Sequence, residues 1–378
     1  MPSLYVHIPF CQRKCVYCDF YSVEAVGMMD AFLDALRAEI ALGARTGEGA
    51  HFDTLFFGGG TPSLMTPSQL EGVMVALRGA FRFTEDAEVT LETNPGTVTR
   101  ETLRDYRSLG VNRLSIGIQS FDDGELRFLG RIHNAAQASR CVALARDAGF
   151  MNVSVDLIYS LPDQTVSGWD ATLARAIALG PDHLSAYSLI VEDNTPLARM
   201  VAANIVSPNP VESEALLYEH TMSVMERSGF EHYEVSNYAR PGCRSLHNTA
   251  YWSHAEYLGF GPSAHSFWRT GDPATPRRWS NVASVRTYCH RLRLGEAPVA
   301  MREEVTPLQL CNERIFLGLR SGGVNLGTLE REFALPADRH ALARALVADG
   351  AAVLEGGTLR LTSRGFMLCD EIAARLMV

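Results

Sequence analysis

Short apolar segments typical of β-strands recur along the first half of the chain, and helical patterns separate them. Residues 3–8 alternate in polarity, and between Met28 and Ala44 apolar side chains recur at helical spacing. Further strands are predicted at 54–57, 88–93, 113–119, 152–159 and 183–190. Strands alternating with helices predict a parallel sheet. Six such units predict an α/β fold, an incomplete (β/α)6 barrel.

The pattern changes after about residue 190. A linker-like Ser207-Pro208-Asn209-Pro210 precedes an amphipathic helix over 211–227, and residues 230–269 are dense in aromatics, histidine, glycine and proline with weak periodicity. From Pro307 onward we predict a helix, a second helix over 337–349, a hairpin across Gly356-Gly357 and a final helix. This order is typical of a winged-helix-like α+β domain. The predicted divisions are 1–205, 206–300 and 301–378.

Composition restricts the functions to be considered. The 378 residues are 47% hydrophobic and 20% charged, as in globular proteins, and the net charge of −9 argues against a broad nucleic-acid surface. No run of about 18 apolar residues predicts a membrane-spanning helix. The first strand begins so early that we expect no signal peptide, and hence a cytoplasmic protein.

Three cysteines follow the first predicted strand. Cys11, Cys15 and Cys18 have the spacing C-x3-C-x2-C, whereas the other five cysteines are scattered singly. Three thiolates on one loop can hold three irons of a [4Fe-4S] cluster and leave the fourth iron open to a small molecule. A structural zinc site would need a fourth ligand at a typical distance, and none follows. A disulfide is not expected without a secretory segment.

With Tyr17 before the third cysteine, this spacing resembles the signature of the radical S-adenosylmethionine (SAM) enzymes. The string from Tyr5 to Cys11 resembles the oxygen-independent coproporphyrinogen III oxidase-like family. The true oxidases of that family carry a fourth cysteine two positions after the third, where this chain has Phe20. In this departure the chain is similar to the HemW-type heme chaperones. The resemblance implies a radical SAM barrel and a HemN-type C-terminal domain.

Polar residues also fall at predicted strand ends, where parallel barrels place their active sites. The run Gly58-Gly59-Gly60-Thr61-Pro62 follows the second strand without the Gly-Lys-Ser/Thr of a phosphate loop. The resemblance implies that the glycine loop binds the methionine amino group of SAM, that Glu92 holds the ribose hydroxyls and that Arg131 binds the carboxylate. It also implies that Tyr17 lies beside the cluster. Together with Tyr17, the residues that it implies for cofactor binding are Tyr5, Gly59, Gly60, Thr61, Glu92, Gln119, Arg131 and Asp156.

A second motif lies in the aromatic region. The string from His247 to Trp252 matches the HNxxYW motif of the HemW-like proteins. Histidine is a common axial ligand of heme iron, and aromatic rings stack on a porphyrin face, so the resemblance implies a heme site at His247, Tyr251 and Trp252. His232, His254, His265 and Cys243 are further candidates. The alternative is a loop that packs over the barrel mouth, with His247 as a hydrogen-bonding core residue.

Two functions remain open. The resemblance favours a heme chaperone with a [4Fe-4S] cluster, SAM and heme as cargo. Its partners would be heme-accepting proteins, including an acceptor at a membrane surface, and an electron donor that the sequence does not identify. The alternative is a coproporphyrinogen III oxidase that decarboxylates two propionates by radical chemistry. No catalytic residue is predicted. A radical SAM enzyme that acts on RNA would need a basic surface, which this acidic chain does not predict. A zinc-binding scaffold would leave the glycine loop unexplained.

Overall fold

The computed structural model describes residues 2–269, 276–333 and 335–378. Six parallel strands lie side by side in chain order, which confirms the predicted partial barrel. The strands are β1 Ser3–Ile8, β2 His51–Gly59, β3 Arg82–Thr93, β4 Arg113–Gln119, β5 Asn152–Tyr159 and β6 His183–Ser188. The sixth strand ends two residues before the predicted position. All six carboxyl ends therefore meet at one end of the barrel, which is called the mouth below.

The helices of this part are α1 Met29–Gly43, α2 Pro67–Ala80, α3 Arg100–Ser108, α4 Asp123–Leu129, α5 Ala135–Asp147, α6 Val166–Ala178 and α7 Pro196–Ala202. The longer helices cover the outer face of the strands. The short helices α4 and α7 lie against the cysteine loop, where the Val16 N–H donates to the Leu129 carbonyl and the Leu197 N–H donates to the Val16 carbonyl. Local chemistry sets their starts: Thr66 accepts from the Gln69 backbone N–H and the Gln69 side chain accepts from the Thr66 N–H, with Pro67 in the first turn. Alternate strand residues such as Leu55, Leu91 and Leu114 are fully buried against the helices.

The region after α7 extends the sheet at both edges. It contains α8 Val211–Arg227, β7 Glu231–Glu234, β8 Asn237–Ala239, α9 Leu246–Trp252, β9 Tyr257–Phe260, β10 His265–Arg269, β11 Pro276–Asn281, α10 Val285–Arg293 and β12 Val299–Glu304. Strand β8 pairs with β6, and β9 pairs with β1, so the described residues form a sheet of 12 strands in the order 12-11-10-9-1-2-3-4-5-6-8-7. Sequence periodicity did not indicate the strands of this region, because they are short and lie in a segment whose glycines and prolines interrupt the alternation.

The C-terminal part has the predicted winged-helix-like arrangement. Its elements are α11 Pro307–Leu319, β13 Val324–Asn325, α12 Leu326–Phe333, α13 Ala337–Ala348, β14 Ala352–Glu355, β15 Thr358–Leu361, α14 Ser363–Met367 and α15 Cys369–Leu376. The predicted hairpin is present as β14 and β15, and the short strand β13, which the sequence did not indicate, completes a three-stranded antiparallel sheet. The domain boundaries at 206 and 301 remain predictions.

A buried carboxylate fastens α1 to the sheet extension. Glu39 accepts hydrogen bonds from the Gly261 N–H at 2.7 Å, from Asn281 Nδ2 at 2.6 Å and from the Tyr288 hydroxyl at 2.5 Å. Burial raises the pKa of Glu39 to about 7. One side chain therefore satisfies donors from the β9–β10 turn, β11 and α10, and it fixes the extension against the barrel.

No helix within the described ranges has the length and apolar content that a bilayer-spanning segment requires.

We predict that Glu39→Ala lowers the free energy of unfolding by at least ~3 kcal/mol, because three buried donors lose their acceptor. The measurement is chemical denaturation followed by circular dichroism. Glu48→Ala is the matched control, since Glu48 is exposed and such surface substitutions usually change stability by less than about 0.5 kcal/mol. Equal stability of the two variants would contradict this role for Glu39.

Candidate functional site

The cysteine loop closes tightly after β1. The Cys11 N–H donates to the Val23 carbonyl at 3.0 Å, and the Val23 N–H donates to the Pro9 carbonyl at 2.8 Å. Two of the thiols also receive donors from outside the loop: Thr61 Oγ1 lies 3.6 Å from Cys11 Sγ, and Arg131 Nη1 lies 3.5 Å from Cys15 Sγ. A hydroxyl and a guanidinium beside sulfur stabilise the thiolate form that iron requires.

The donor set suits a cluster better than a single ion. Among the residues that the structure describes, no three His, Cys, Asp or Glu side chains converge closely enough to hold one metal ion. A [4Fe-4S] cluster instead takes each thiolate on a different iron, so three thiolates spread along one loop fit it. Burial raises the pKa of Cys11, and it raises that of Cys18 to about 11, so a cation is needed to deprotonate these thiols.

The glycine loop after β2 packs directly against the cysteine loop. The Gly60 N–H donates to the Ile8 carbonyl and the Thr61 N–H to the Phe10 carbonyl, both at 2.8 Å. Gly59 has φ of 109°, and a Cβ there would lie 2.5 Å from the His7 ring. A Cβ on Gly60 would lie 2.7 Å from the Phe10 carbonyl oxygen. Only glycine allows this approach, so the loop lies within reach of whatever the cysteines hold.

Two carboxylates face the barrel interior near the mouth. Glu92 Oε2 accepts from the Gly59 N–H at 3.1 Å, and burial, followed by the nearby charge of Asp156, raises its pKa to about 8. Burial also raises the pKa of Asp156, although Asp156 accepts hydrogen bonds from serines on three strands, Ser115, Ser154 and Ser185. The pair therefore has unused acceptor capacity for hydroxyl donors.

A polar network joins the loops at the mouth. Arg131 Nη2 donates to Asn94 Oδ1 at 2.6 Å and to the Gly117 carbonyl at 2.5 Å, and Asn94 Nδ2 donates to Thr61 Oγ1 at 2.9 Å. The Nε of Arg131 is buried without a hydrogen-bond partner in the described part of the chain. Gln119 has a left-handed backbone with φ of 71°, a strained conformation that often marks functional sites. This network combines a cation with an unused donor beside Cys15.

The two predicted tyrosines lie at different depths. The Tyr5 hydroxyl hydrogen-bonds to His7 Nδ1 at 3.0 Å, and His7 Nε2 hydrogen-bonds to the Tyr21 carbonyl at 2.8 Å. Tyr17 packs against the apolar cluster of Leu129, Ile158 and Leu161 next to the cysteine loop. The structure thus gathers the predicted SAM contacts along the upper interior and the rim of the barrel. Their roles as contacts remain predictions.

Helix α9, which carries the HNxxYW string, lies at the opposite end of the barrel. Glu88, near the start of the paired part of β3, accepts from the backbone N–H groups of Leu246 at 3.1 Å and His247 at 3.0 Å. His247 Nδ1 hydrogen-bonds to Thr54 Oγ1 at 2.7 Å, and Thr54 pairs with Ser3 and Glu88 at the amino ends of the strands. The alternative of a loop that packs over the mouth is therefore wrong about the position of this segment, whereas its second part, His247 as a hydrogen-bonding core residue, agrees with the bond to Thr54. The segment closes the floor instead.

The predicted heme residues are mostly enclosed. The His247 residue is 2% exposed, burial lowers its pKa to about 3, and its Nε2 has no hydrogen-bond partner in the described ranges. Tyr251 and Trp252 are half-buried. Heme iron could reach Nε2 only if α9 moved away from the strands. The heme role of these residues remains a prediction.

Sequence reasoning missed several residues that the structure brings into the site. Asn94 follows β3 directly, and its place at a strand end matches that of the other site residues. His7 lies inside the string from Tyr5 to Cys11, which carries no separate signal for it. The serines that donate to Asp156 lie at neighbouring register positions of three adjacent strands, and Ser154 alternates with Asp156 along β5, so polar residues at such positions could have indicated a polar interior.

Two protein-family models match the chain. The model described as the radical SAM superfamily matches residues 5–176, and the HemN C-terminal domain matches residues 305–368. The first spans the parallel strands β1 to β5, and the second covers most of the winged-helix-like part.

Curated relatives match over most of the chain. The heme chaperone HemW of Bacillus subtilis is 37% identical over 338 residues, which are 88% of this chain and 86% of that protein. The heme chaperone HemW of Mycobacterium tuberculosis is 35% identical over 99% of this chain and 94% of its own length.

A solved structure has the same architecture. Coproporphyrinogen III oxidase (HemN) from Escherichia coli, described as a radical SAM enzyme, superposes with a TM-score of 0.85. It is 25% identical, and the match covers 100% of this chain and 90% of that one.

We predict that Gly59→Ala destabilises the protein by roughly 1–3 kcal/mol, since a side chain at positive φ is strained and its Cβ would contact the His7 ring. Thermal unfolding measures the effect. Gly79→Ala is the matched control, because Gly79 lies in helix α2 with open space around its Cβ position, where alanine should stabilise the helix slightly. Unfolding of Gly59→Ala at the wild-type temperature would argue against a tight glycine loop.

Proposed function

Because the chain belongs to the family of the heme chaperone HemW, within the radical SAM superfamily, we propose that it is a heme chaperone. It carries a [4Fe-4S] cluster and SAM at the barrel mouth, binds heme and delivers it to acceptor proteins. The identity to HemW proteins over most of both chains supports this assignment most strongly.

The residue after the cluster motif supports a chaperone over an oxidase. Phe20 occupies the position at which the resemblance expects a fourth cysteine in the oxidases, and it is 69% exposed. Cys141, Cys289, Cys311 and Cys369 are buried in other elements, and Cys243 lies near the barrel floor, where its carbonyl accepts from Arg113. No other thiol within the described residues is positioned to replace the missing one.

The mouth residues have complementary roles toward the cluster and SAM. Cys11, Cys15 and Cys18 would each hold one iron. When bound, the cluster and SAM supply one-electron chemistry. The glycine loop presents backbone groups to the amino group, Glu92 accepts from the ribose hydroxyls, and Arg131 donates to the carboxylate through its unused Nε. Asp156 and Gln119 complete the pocket.

The alternative is coproporphyrinogen III oxidase activity. The superposition on HemN and the gathering of SAM-type residues at the mouth favour it, because the pocket retains the groups that SAM cleavage would use. Fold alone does not determine which reaction a shared scaffold supports. A direct assay is therefore required.

The partners follow from the chaperone role. They are heme, heme-accepting proteins, which include an acceptor at a membrane surface, and an electron donor for the cluster. We also place the protein in the cytoplasm, because its eight cysteines are all free and an exposed cluster needs a reducing compartment.

The test is an anaerobic reconstitution followed by two assays on one preparation. We expect heme titration to give a saturable absorbance change, and incubation with coproporphyrinogen III, SAM and a reductant to give no protoporphyrinogen IX. HemN is the positive control for the second assay. Formation of protoporphyrinogen IX at rates near those of HemN would replace the chaperone by the oxidase.

We further predict that Cys15→Ser strongly lowers the iron and sulfide content after reconstitution and abolishes SAM binding, because one of three thiolate ligands is lost. Cys243→Ser is the matched control, since this thiol lies away from the mouth. Iron analysis and the electron paramagnetic resonance (EPR) signal of the reduced protein measure the outcome. A full cluster in Cys15→Ser would exclude Cys15 as a ligand.

A further inference from the structure

We infer that His247 is a positioning residue for the SAM pocket: from the barrel floor it supports Tyr5, and through Tyr5 the glycine loop and Glu92. The inference rests on the proposed binding of SAM at the mouth. It assigns the HNxxYW helix to the barrel floor rather than to heme iron.

Helix α9 is held in place by the buried carboxylate of Glu88. Glu88 is buried. Within the described residues, its two carboxylate oxygens accept hydrogen bonds from the backbone N–H groups of Leu246 and His247. This arrangement also places a carboxylate at the N-terminus of a helix, where negative charge is favourable. If α9 left the floor, Glu88 would lose both hydrogen-bond donors, and Phe56 and Tyr5 would lose the ring that packs on them. Movement of α9 to expose His247 is therefore costly.

The imidazole of His247 continues this anchor toward the barrel interior. Its ring stacks on Phe56 at 4.8 Å between centroids and on Tyr5 at 6.4 Å, while Tyr251 packs edge-on at 4.8 Å. The bond from Nδ1 to Thr54 fixes the rotation of the ring. Tyr5 in turn stacks on Phe56 at 6.2 Å. The position of the Tyr5 ring therefore depends on the His247 ring beneath it.

Tyr5 transmits this position to the mouth. A Cβ on Gly58 would lie 3.0 Å from the Tyr5 ring and 3.2 Å from Glu92 Cδ, so these groups are in close contact around the glycine. The Tyr5 hydroxyl also holds His7, whose ring lies directly against Gly59. Gly59 donates to Glu92. A shift of Tyr5 must therefore move the glycine loop, the carboxylate, or both, because packed interiors transmit small displacements.

The experiment separates a positioning role toward SAM from a ligand role toward heme, because loss of the His247 ring should weaken the binding of only one of these two molecules. His247→Phe keeps an aromatic ring on Phe56 and Tyr5 but removes both nitrogens, whereas His247→Ala removes the ring. Thr54→Val removes the hydrogen bond and leaves the histidine intact. His290→Ala is the matched control, since His290 is an exposed histidine of the same extension. The cluster of each variant is reconstituted. One sample is titrated with SAM while the EPR signal of the reduced cluster is recorded, and a second sample is titrated with heme.

We expect His247→Ala to weaken SAM affinity roughly 3- to 30-fold, which is the range for coupling through packed side chains. The EPR signal of the SAM complex should also change. His247→Phe should restore most of the SAM affinity, and all variants should bind heme within about two-fold of wild type. A loss of stability alone would not change the EPR signal of the SAM complex. His290→Ala should match wild type in both titrations.

Loss of heme binding in both His247 variants, with wild-type SAM titrations, would overturn the inference and make His247 a heme ligand. If His247→Ala does not fold, His247→Leu takes its place, because leucine keeps side-chain volume but has no planar ring, and wild-type SAM affinity in that variant would overturn the inference. Failure of the wild-type protein to bind heme would instead remove the proposed function. The SAM titrations would still decide the role of His247.

Discussion

Hydrogen-bonding groups inside the partial barrel must find partners among their neighbours, and the arrangement of the chain depends on this constraint. A buried charge or polar group without a partner is expensive. Asp156 is therefore surrounded by three serine hydroxyls, Glu88 takes the first N–H groups of α9, and His183 bridges Ser154 Oγ and the Tyr233 hydroxyl, both at 2.8 Å. The strands of a radical SAM barrel cannot supply all these partners alone, so the extension completes the interior.

The two ends of the barrel differ in how far their polar groups are satisfied. At the floor, Glu88, Thr54 and the amino end of α9 use each other's hydrogen-bonding capacity, and aromatic rings fill the remaining space. At the mouth, the Nε of Arg131 has no partner in the described ranges, and burial and the nearby charge of Asp156 raise the pKa of Glu92. His247 Nε2 at the floor is also without a partner in these ranges, but aromatic rings enclose it. The guanidinium and the carboxylate next to the cysteine and glycine loops are what mark the mouth as the end that receives a ligand.

The chain shares its architecture with HemN, yet the groups that distinguish a chaperone from an oxidase are local. The parallel strands, the glycine loop and the winged-helix-like part follow the common scaffold. An exposed Phe20 beside the cysteine loop is a single side chain on that scaffold. Function on a shared fold is determined by such sites, which is why relatives with closely similar folds can use the same cofactors for different purposes.

The sequence by itself determined the six-unit α/β barrel, the cysteine loop, the glycine loop and the residues at the strand ends, because these features depend on local periodicity, spacing and turn chemistry. It also predicted the hairpin near the C-terminus from its glycine pair. It did not predict the strands of the extension, since each is short and depends on a neighbouring strand: β8 and β9 pair with β6 and β1, far away in sequence, and the other strands pair outward from these two. The place of α9 at the floor, the partners of Glu39 and the contact between Tyr5 and His247 were decided only by the tertiary structure. Each joins residues about 160 to 250 positions apart, and such contacts depend on how buried groups satisfy one another rather than on any local pattern.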